Sequence, residues 1–256
     1  MSPPDIKDGK MPFVLYNLGG SIMNAAVGAL FLALYFICPN GSRTAPFVLL
    51  FAAVGFITAV MNGVPMRLGA VDNDGYNALA ISKSSEAAEA FWVQLSIVGQ
   101  SARGVRLKDM PEEWFRVPAE ESMQNSIVAV RGVLACNRLM DEQKFNQADA
   151  LMARMLAAES GMAGIHRGLL VCDRIYIELI GVARREAIEA MLTKAQAKFM
   201  KSMRRYPSVL RTEYALALLL EKNAARAEGI RAEFEKAAKS YPYPQETESE
   251  QQLICL

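Results

Sequence analysis

The chain has 256 residues, a formal net charge of +1 and 52% hydrophobic residues. This nearly balanced charge gives no reason to expect a nucleic acid as partner. The cysteines contain no C-x-x-C pair, which argues against a structural zinc site and against a dense disulfide framework. We therefore expect free thiols in a reducing compartment at the four cysteines, Cys38, Cys136, Cys172 and Cys255.

The first predicted elements are two apolar helices near the amino terminus. Residues 12–37 and 45–64 carry no charged side chain, and a helix needs about 20 apolar residues to cross a hydrocarbon core. The link between them, CPNGSRT, is short and polar, so we expect an antiparallel transmembrane hairpin in a lipid bilayer. A signal peptide is the less favoured alternative, because no A-x-A-like site follows the first run and a second apolar run does.

Basic residues are unevenly distributed around this expected hairpin. The link carries Arg43 alone, whereas the other side carries Lys7, Lys10, Arg67 and the basic residues of the rest of the chain. The positive-inside rule then predicts an integral membrane protein whose helical domain lies in the cytoplasm.

Polar and small residues interrupt the first apolar run. Asn17, Gly19, Gly20, Ser21 and Asn24 all lie in its first half. Glycine lets two helix backbones approach closely, and asparagine can form hydrogen bonds across helices in lipid. Ordinary helix packing is therefore the simplest interpretation of these residues.

The second apolar run ends in residues that stop a helix and are followed by acidic ones. Asn62 and Pro65 break the helix near the expected membrane interface, and Asp72 and Asp74 follow in a stretch rich in glycine and asparagine. Taken alone, the Asp74-Gly75 pair is typical of a turn. A carboxylate at the end of a transmembrane helix is also a suitable hard ligand for a metal ion.

Together these two regions resemble the site-2-protease-type intramembrane zinc metalloproteases. Gly20 and Asn24 match a G-x-x-x-N element of that family, Asn62 and Pro65 match its N-x-x-P element, and Asp74 with Gly75 matches its D-G element. In that family the D-G aspartate joins the two histidines of an H-E-x-x-H helix in binding zinc. The resemblance implies that Asp74 is the third zinc ligand and that the asparagines shape the substrate cleft.

The H-E-x-x-H element is absent from this sequence. The one histidine, His166, has no glutamate or second histidine beside it. A zinc protease needs three protein ligands and an open position for water. We therefore expect the C-terminal portion of a membrane-embedded zinc metalloprotease. It is incomplete and inactive as given, takes zinc only if the missing helix is supplied, and acts on a membrane protein or peptide. The alternative is a non-catalytic, membrane-anchored scaffold in which Asp74 is a turn residue.

Residues 82–256 are predicted to form a soluble helical domain after the 1–81 hairpin. The segment from Ser82 has apolar positions at helical spacing, with Ser85 as the expected N-cap, and a connector with Pro111 and Pro118 follows. Short breaks then separate six helix-sized segments, which suggests stacked antiparallel pairs. The predicted fold class is thus all-α, a two-helix transmembrane hairpin followed by an α-solenoid-like domain. The six segments are residues 121–140, 145–159, 162–180, 184–206, 208–222 and 224–241.

An internal repeat supports the stacked arrangement. Tyr206-Pro207 matches Tyr241-Pro242, and Phe199 matches Phe234, each with an offset of 35 residues. A period near 34 with an aromatic residue and a closing proline resembles tetratricopeptide repeats, which usually bind a protein or peptide in a concave groove. A protein partner is therefore expected, although the domain could simply cap and stabilise the membrane part. The polar residues after Pro242 are expected to form a fraying last helix.

Overall fold

In the computed structural model, residues 12–67, 69, 71–158 and 160–256 are described. All regular structure in this part of the chain is helical, apart from one isolated bridge between Arg67 and Asp72, so the predicted all-α class is confirmed. The chain forms two compact units, residues 12–89 and 90–256, and the division falls inside the fourth helix. Lys7 and Lys10, which the orientation prediction uses, lie outside the described residues.

The first unit contains two long apolar helices, α1 (Phe13–Phe36) and α2 (Ala45–Gly63). At 1.5 Å per residue, their 24 and 19 residues span about 36 and 28 Å, against a hydrocarbon core of about 30 Å. Only 11% and 17% of their most apolar windows are buried. Both helices are therefore long and apolar enough to cross a membrane, and most of their apolar surface stays uncovered within this unit.

Glycine allows α1 and α2 to approach closely. A Cβ atom on Gly55 would lie 2.9 Å from the Gly28 Cα and 3.0 Å from the Asn24 carbonyl oxygen. Further along the same contact, a Cβ on Gly63 would lie 3.1 Å from the Ser21 Cβ. Larger residues at these positions would push the helices apart, so the small residues of both runs set the distance between the backbones.

Two further helices begin in this unit, α3 (Asp74–Ser82) and α4 (Ser85–Ser101). The Asp74-Gly75 pair, typical of a turn in isolation, instead forms the first residues of α3. The N-cap predicted at Ser85 lies one residue earlier, because the Ala87 amide donates to the Ser84 hydroxyl at 3.1 Å. A serine oxygen at this position satisfies one of the free amides of the first turn.

The second unit is a helical domain with its own core. After the rest of α4 and three short 3₁₀ turns at Leu107–Asp109, Glu112–Phe115 and Ser122–Gln124, its described residues form eight further α-helices. These are α5 (Ser126–Asp141), α6 (Phe145–Ala157), α7 (Gly164–Ile180), α8 (Arg185–Met191), α9 (Lys194–Ser202), α10 (Pro207–Ala215), α11 (Ala224–Ala238) and α12 (Pro244–Ile254).

Three of the helices predicted in this unit have wrong bounds, because N-caps or a change of helix type divide the predicted segments. The segment 184–206 is two helices, since the Thr193 hydroxyl accepts the Gln196 amide at 3.1 Å and starts α9 there. The segment 121–140 begins only at Ser126, where Asn125 is the N-cap. The segment 208–222 is α10 followed by a π-helical turn at Leu216–Leu220.

Helix α7 lies at the centre of the domain and contacts α5, α6, α8, α9 and α10. Leu170 and Ile175 of α7 are fully buried, and a Cβ on Gly168 would lie 2.6 Å from the Phe199 ring of α9. Methionines fill much of this core, and Met140, Met152, Met155 and Met200 are among the buried ones.

The C-terminal helix α12 is part of the core rather than a frayed end. Leu253 and Ile254 are buried, and the Tyr176 hydroxyl of α7 donates to the Leu253 carbonyl at 2.7 Å. Helix α12 begins at Pro244 and not at Pro242. Its start is therefore two residues further from the start of α10 at Pro207 than the sequence repeat predicts.

Candidate functional site

The junction between α2 and α3 is built around the side chain of Asn73. This residue is the N-cap of α3, and its Oδ1 accepts the Tyr76 amide at 2.9 Å and the Met66 amide at 3.0 Å. Its Nδ2 donates to the Met61 and Val64 carbonyls at 2.8 and 2.6 Å. One buried amide thus satisfies backbone groups at the end of α2 and at the start of α3.

Gly75 brings the start of α3 against the end of α2. A Cβ on Gly75 would lie 2.2 Å from the Gly63 carbonyl oxygen and 2.9 Å from the Pro65 nitrogen. No side chain fits at such distances, so the helix start can occupy this position only with glycine. Asn73 and Gly75 together fix the backbone of the residue between them.

That residue is Asp74, a half-buried carboxylate in the first turn of α3. Within the described parts of the chain, no hydrogen bond or ion pair of the Asp74 side chain occurs. The neighbouring Asp72 differs, because its Oδ1 pairs with the Arg67 guanidinium at 3.3 Å. A carboxylate at this helix end interacts favourably with the helix dipole by about 0.3–1 kcal/mol, so Asp74 also has a structural role.

The other residues predicted for the site are placed less centrally. Gly20 is exposed, and the described residues leave open space around a Cβ built there. Asn62 and Pro65 are exposed, and Asn24 is half-buried with its carbonyl against α2. The structure therefore gathers Asp74, Gly75 and the Pro65 backbone at the junction, whereas Gly20 and Asn62 lie on open helix surface.

The described residues supply an incomplete donor set for a zinc ion. The described residues contain no group of three or more histidine, cysteine, aspartate or glutamate side chains that could hold a metal ion. His166 lies on α7, in the helical domain. The junction offers one oxygen ligand, and zinc sites need at least three protein ligands, so these residues alone do not form a zinc site.

Comparison with known proteins identifies no relative of this chain. No protein-family model, curated protein or solved structure matches the chain. The functional conclusions below therefore depend on the geometry of the two units.

The sequence interpretation missed two features. The role of Asn73 is recognisable in principle, because asparagine directly before a helix is a common N-cap. The second feature, a buried ionic network in the helical domain, has no local signal. Arg211 is 1% exposed and donates to Asp173 at 2.5 Å and to Glu250 at 2.7 Å, partners that lie 38 and 39 residues away.

The network is unusual in having one cation for two carboxylates. The Arg211 guanidinium also lies over the Tyr176 ring, 4.3 Å from its centroid. Burial raises the pKa of Asp173, and burial raises the pKa of Glu250 to about 7, in both cases against the opposing effect of Arg211. Buried groups with shifted pKa values occur often at functional sites, although structural networks produce them as well.

Proposed function

We propose that this chain is the C-terminal portion of a membrane-embedded zinc metalloprotease of the site-2-protease type, to which it contributes Asp74 as one zinc ligand. The observation that supports the proposal best is the construction of the α2–α3 junction. Asn73 and Gly75 hold the backbone of Asp74 in place, and its carboxylate is left without a partner among the described residues. A rigid, unpaired oxygen donor is what a metal ligand requires.

In this proposal α1 and α2 cross the bilayer as an antiparallel hairpin. Their lengths match the hydrocarbon thickness, and their exposed apolar side chains are suited to lipid. The charge asymmetry around the link favours both ends, and the helical domain, on the cytoplasmic side.

The chemistry that zinc supplies when bound is a lowered pKa of a coordinated water and polarisation of a peptide carbonyl. Within this chain, Asp74 would supply one oxygen ligand, while Asn73 and Gly75 fix the backbone around it at the start of α3. The two histidines and the catalytic glutamate would come from an H-E-x-x-H helix outside these 256 residues.

Zinc content tests the proposal. The protein is expressed from its own gene, extracted from membranes in detergent, and its metal is measured by mass spectrometry. We expect bound zinc in the wild type and a loss of more than about tenfold in zinc affinity in Asp74→Asn, because changes even beyond the ligands cost 10–100-fold. Asp72→Asn is the matched control and should keep its zinc. Wild-type protein without zinc, or equal zinc in both variants, would refute the assignment.

A second candidate function is that of a membrane-anchored scaffold, and a groove in the helical domain favours it. The groove has a volume of about 850 Å³ and lies between the end of α9 and α11. Lys201, Arg205 and Lys236 line it, and Tyr206 and Tyr241 contribute aromatic surface. The starts of α5, α7, α10 and α12 are 38, 43 and 37 residues apart, which lies within the range of helical solenoid repeats but exceeds the tetratricopeptide period of about 34.

A protein partner with an acidic segment would suit this basic groove. Co-purification of the full chain from its native membranes should then recover one partner with wild type and with Lys198→Glu, a control on the exposed side of α9. The same partner should be lost with Lys201→Glu. If the protein contains no zinc and loses its partner in this way, the scaffold function is supported. If Lys201→Glu recovers the partner as well as wild type does, this groove is not the binding site.

A further inference from the structure

The helical domain carries a strongly acidic segment on its surface. Residues 109–121, which contain the second 3₁₀ turn, have five carboxylates and a single basic side chain, that of Arg116. All five acidic residues are exposed, and none of their side chains forms an ion pair with another described residue. They are Asp109, Glu112, Glu113, Glu120 and Glu121. We call this segment the acidic connector.

The backbone of the acidic connector is held in place by the helices beneath it. Phe115 is buried in the domain core, and the Arg138 guanidinium lies over its ring, 4.8 Å from the centroid. Arg131 of α5 donates to the Glu113 and Trp114 carbonyls at 2.8 and 3.2 Å. Because this backbone is already ordered, a partner that binds the connector causes little further loss of conformational entropy.

The basic groove between the end of α9 and α11 has the opposite charge. Four basic side chains and one acidic side chain line it, and the acidic one, Glu233, is paired with Arg204 at 2.8 Å. The other three basic residues are exposed, and within the described part of the chain they form no ion pair. They are Lys201, Arg205 and Lys236. The groove therefore offers three free cations to an anionic partner.

The two surfaces also match in their apolar parts. Tyr206 and Tyr241 contribute aromatic surface to the basic groove beside its cations. In the acidic connector, Val117 is 38% exposed and lies between the carboxylate pairs at 112–113 and 120–121. An apolar side chain with carboxylates on both sides thus faces aromatic rings with cations beside them. An apolar centre with a polar rim is the usual composition of a protein interface.

These two surfaces do not meet within one chain. No residue of the acidic connector lines the groove of its own chain. The 3₁₀ turns of the connector region pack against α5, whereas α9, α10 and α11 form the groove. Both are fixed parts of the same compact unit, so they cannot reach each other while the domain stays folded. A second copy of the chain can bring them together.

We propose that the basic groove of one copy binds the acidic connector of a second copy of this chain. The inference names the partner of the groove in the scaffold function and rests on that function, whereas the zinc proposal does not depend on it. A second copy is favoured over an unrelated acidic protein because its carboxylates stand on an ordered backbone beside an exposed apolar side chain. The contact occurs twice in a two-fold pair and once per copy in a larger ring.

Charge reversal on each surface tests the proposal. The groove variant carries Lys201→Glu and Arg205→Glu, and the connector variant carries Glu112→Lys and Glu113→Lys. Full-length chains with two different affinity tags are co-expressed and extracted in detergent, and the second tag is measured after capture on the first. Wild-type copies should capture each other. Two groove-variant copies, or two connector-variant copies, should show capture reduced more than about tenfold, because like charges then face each other.

A mixed pair of the two variants gives the decisive result. Every contact between a groove-variant copy and a connector-variant copy joins opposite charges, so capture should return close to the wild-type level. Such recovery also shows that both variants are folded. The matched control combines Lys194→Glu with Lys198→Glu, two exposed positions of α9 outside the groove, and should behave as wild type.

Three results would overturn the proposal. They are no capture between wild-type copies, no recovery in the mixed pair, and equal capture in wild type and both variants, which would place self-association on another surface. The scaffold function is tested separately by the co-purification from native membranes. If a different protein is recovered there and lost with Lys201→Glu, the groove binds that acidic partner, and the scaffold function stands without self-association through this groove.

Discussion

Replacement of Arg211 by methionine should destabilise the helical domain strongly and in a pH-dependent way. The variant leaves Asp173 and Glu250 in a protected site without their shared cation, which is 2.5 and 2.7 Å away in the native structure. Removal of one partner from a buried ion pair costs about 3–5 kcal/mol of the free energy of unfolding. For a domain of this size, that loss corresponds to a decrease in Tm of about 6–20 °C.

The loss should be smaller at pH 5 than at pH 8. Without Arg211, the pKa values of the two carboxylates in the folded state rise further above their unfolded values of about 4. The folded variant then holds these protons up to a higher pH than the wild type does, so the difference in stability narrows as the pH falls from 8 through the wild-type Glu250 pKa of about 7.

Tryptophan fluorescence provides a local assay for this domain. Both tryptophans of the chain, Trp92 and Trp114, lie in the second unit, with ring centroids 6.0 Å apart. Unfolding in detergent, followed by their emission, therefore reports on the helical domain without a contribution from α1 and α2.

A surface ion pair is the matched control. Arg174 lies 2.6 Å from Asp149, and their side chains are 27% and 40% exposed, so Arg174→Met should cost less than about 1 kcal/mol. Equal stability of Arg211→Met and Arg174→Met at pH 8 would show that the buried network contributes no more than a surface pair. A loss in Arg211→Met that is the same at pH 5 and pH 8 would show that the buried carboxylates take up no protons.

Three further predictions concern the junction and the network. Asn73→Ala should speed hydrogen exchange of the backbone amides at the α2–α3 junction about tenfold or more, since their side-chain acceptor is lost, whereas Asn77→Ala on the same helix should not. Unchanged exchange in the first variant would contradict the capping role. Gly75→Ala should shift the start of α3 away from the Gly63 carbonyl, seen as faster exchange of the same amides, and native rates there would show that the close approach is dispensable. Glu250→Gln should flatten the pH dependence of domain stability between about pH 4.5 and 7. The pKa of about 7 in the folded state makes wild-type stability fall as pH rises through that window, and parallel curves would refute this.

The sequence predicts those parts of the fold that depend on local composition. Length and the absence of charge were sufficient to predict α1 and α2 from their apolar runs. Both helices begin and end within about two residues of the predicted segments. The break between α8 and α9 was missed because a single threonine cap, Thr193, outweighs an otherwise continuous helical pattern. Helix propensity does not signal such a competition.

Features that depend on distant partners could not be predicted. The polar sequence of α12 suggests a frayed end, yet Glu250 and the Leu253 carbonyl find partners on α10 and α7. At the junction, Asp74 was identified from its motif, but the hydrogen bonds of Asn73 become visible only when α2 and α3 are placed together.

The position of α12 has a consequence for the order of folding. Its hydrogen bonds with Tyr176, Asp141 and Arg106 connect residues that are 77, 108 and 146 positions apart along the chain. Contacts of such high sequence separation form late, after the earlier helices have assembled. The cavity of about 220 Å³ between α5, α7, α10 and α12 therefore does not exist in a domain that lacks docked α12. A molecule that binds there recognises only the finished domain, and by mass action it would shift the equilibrium towards the docked helix.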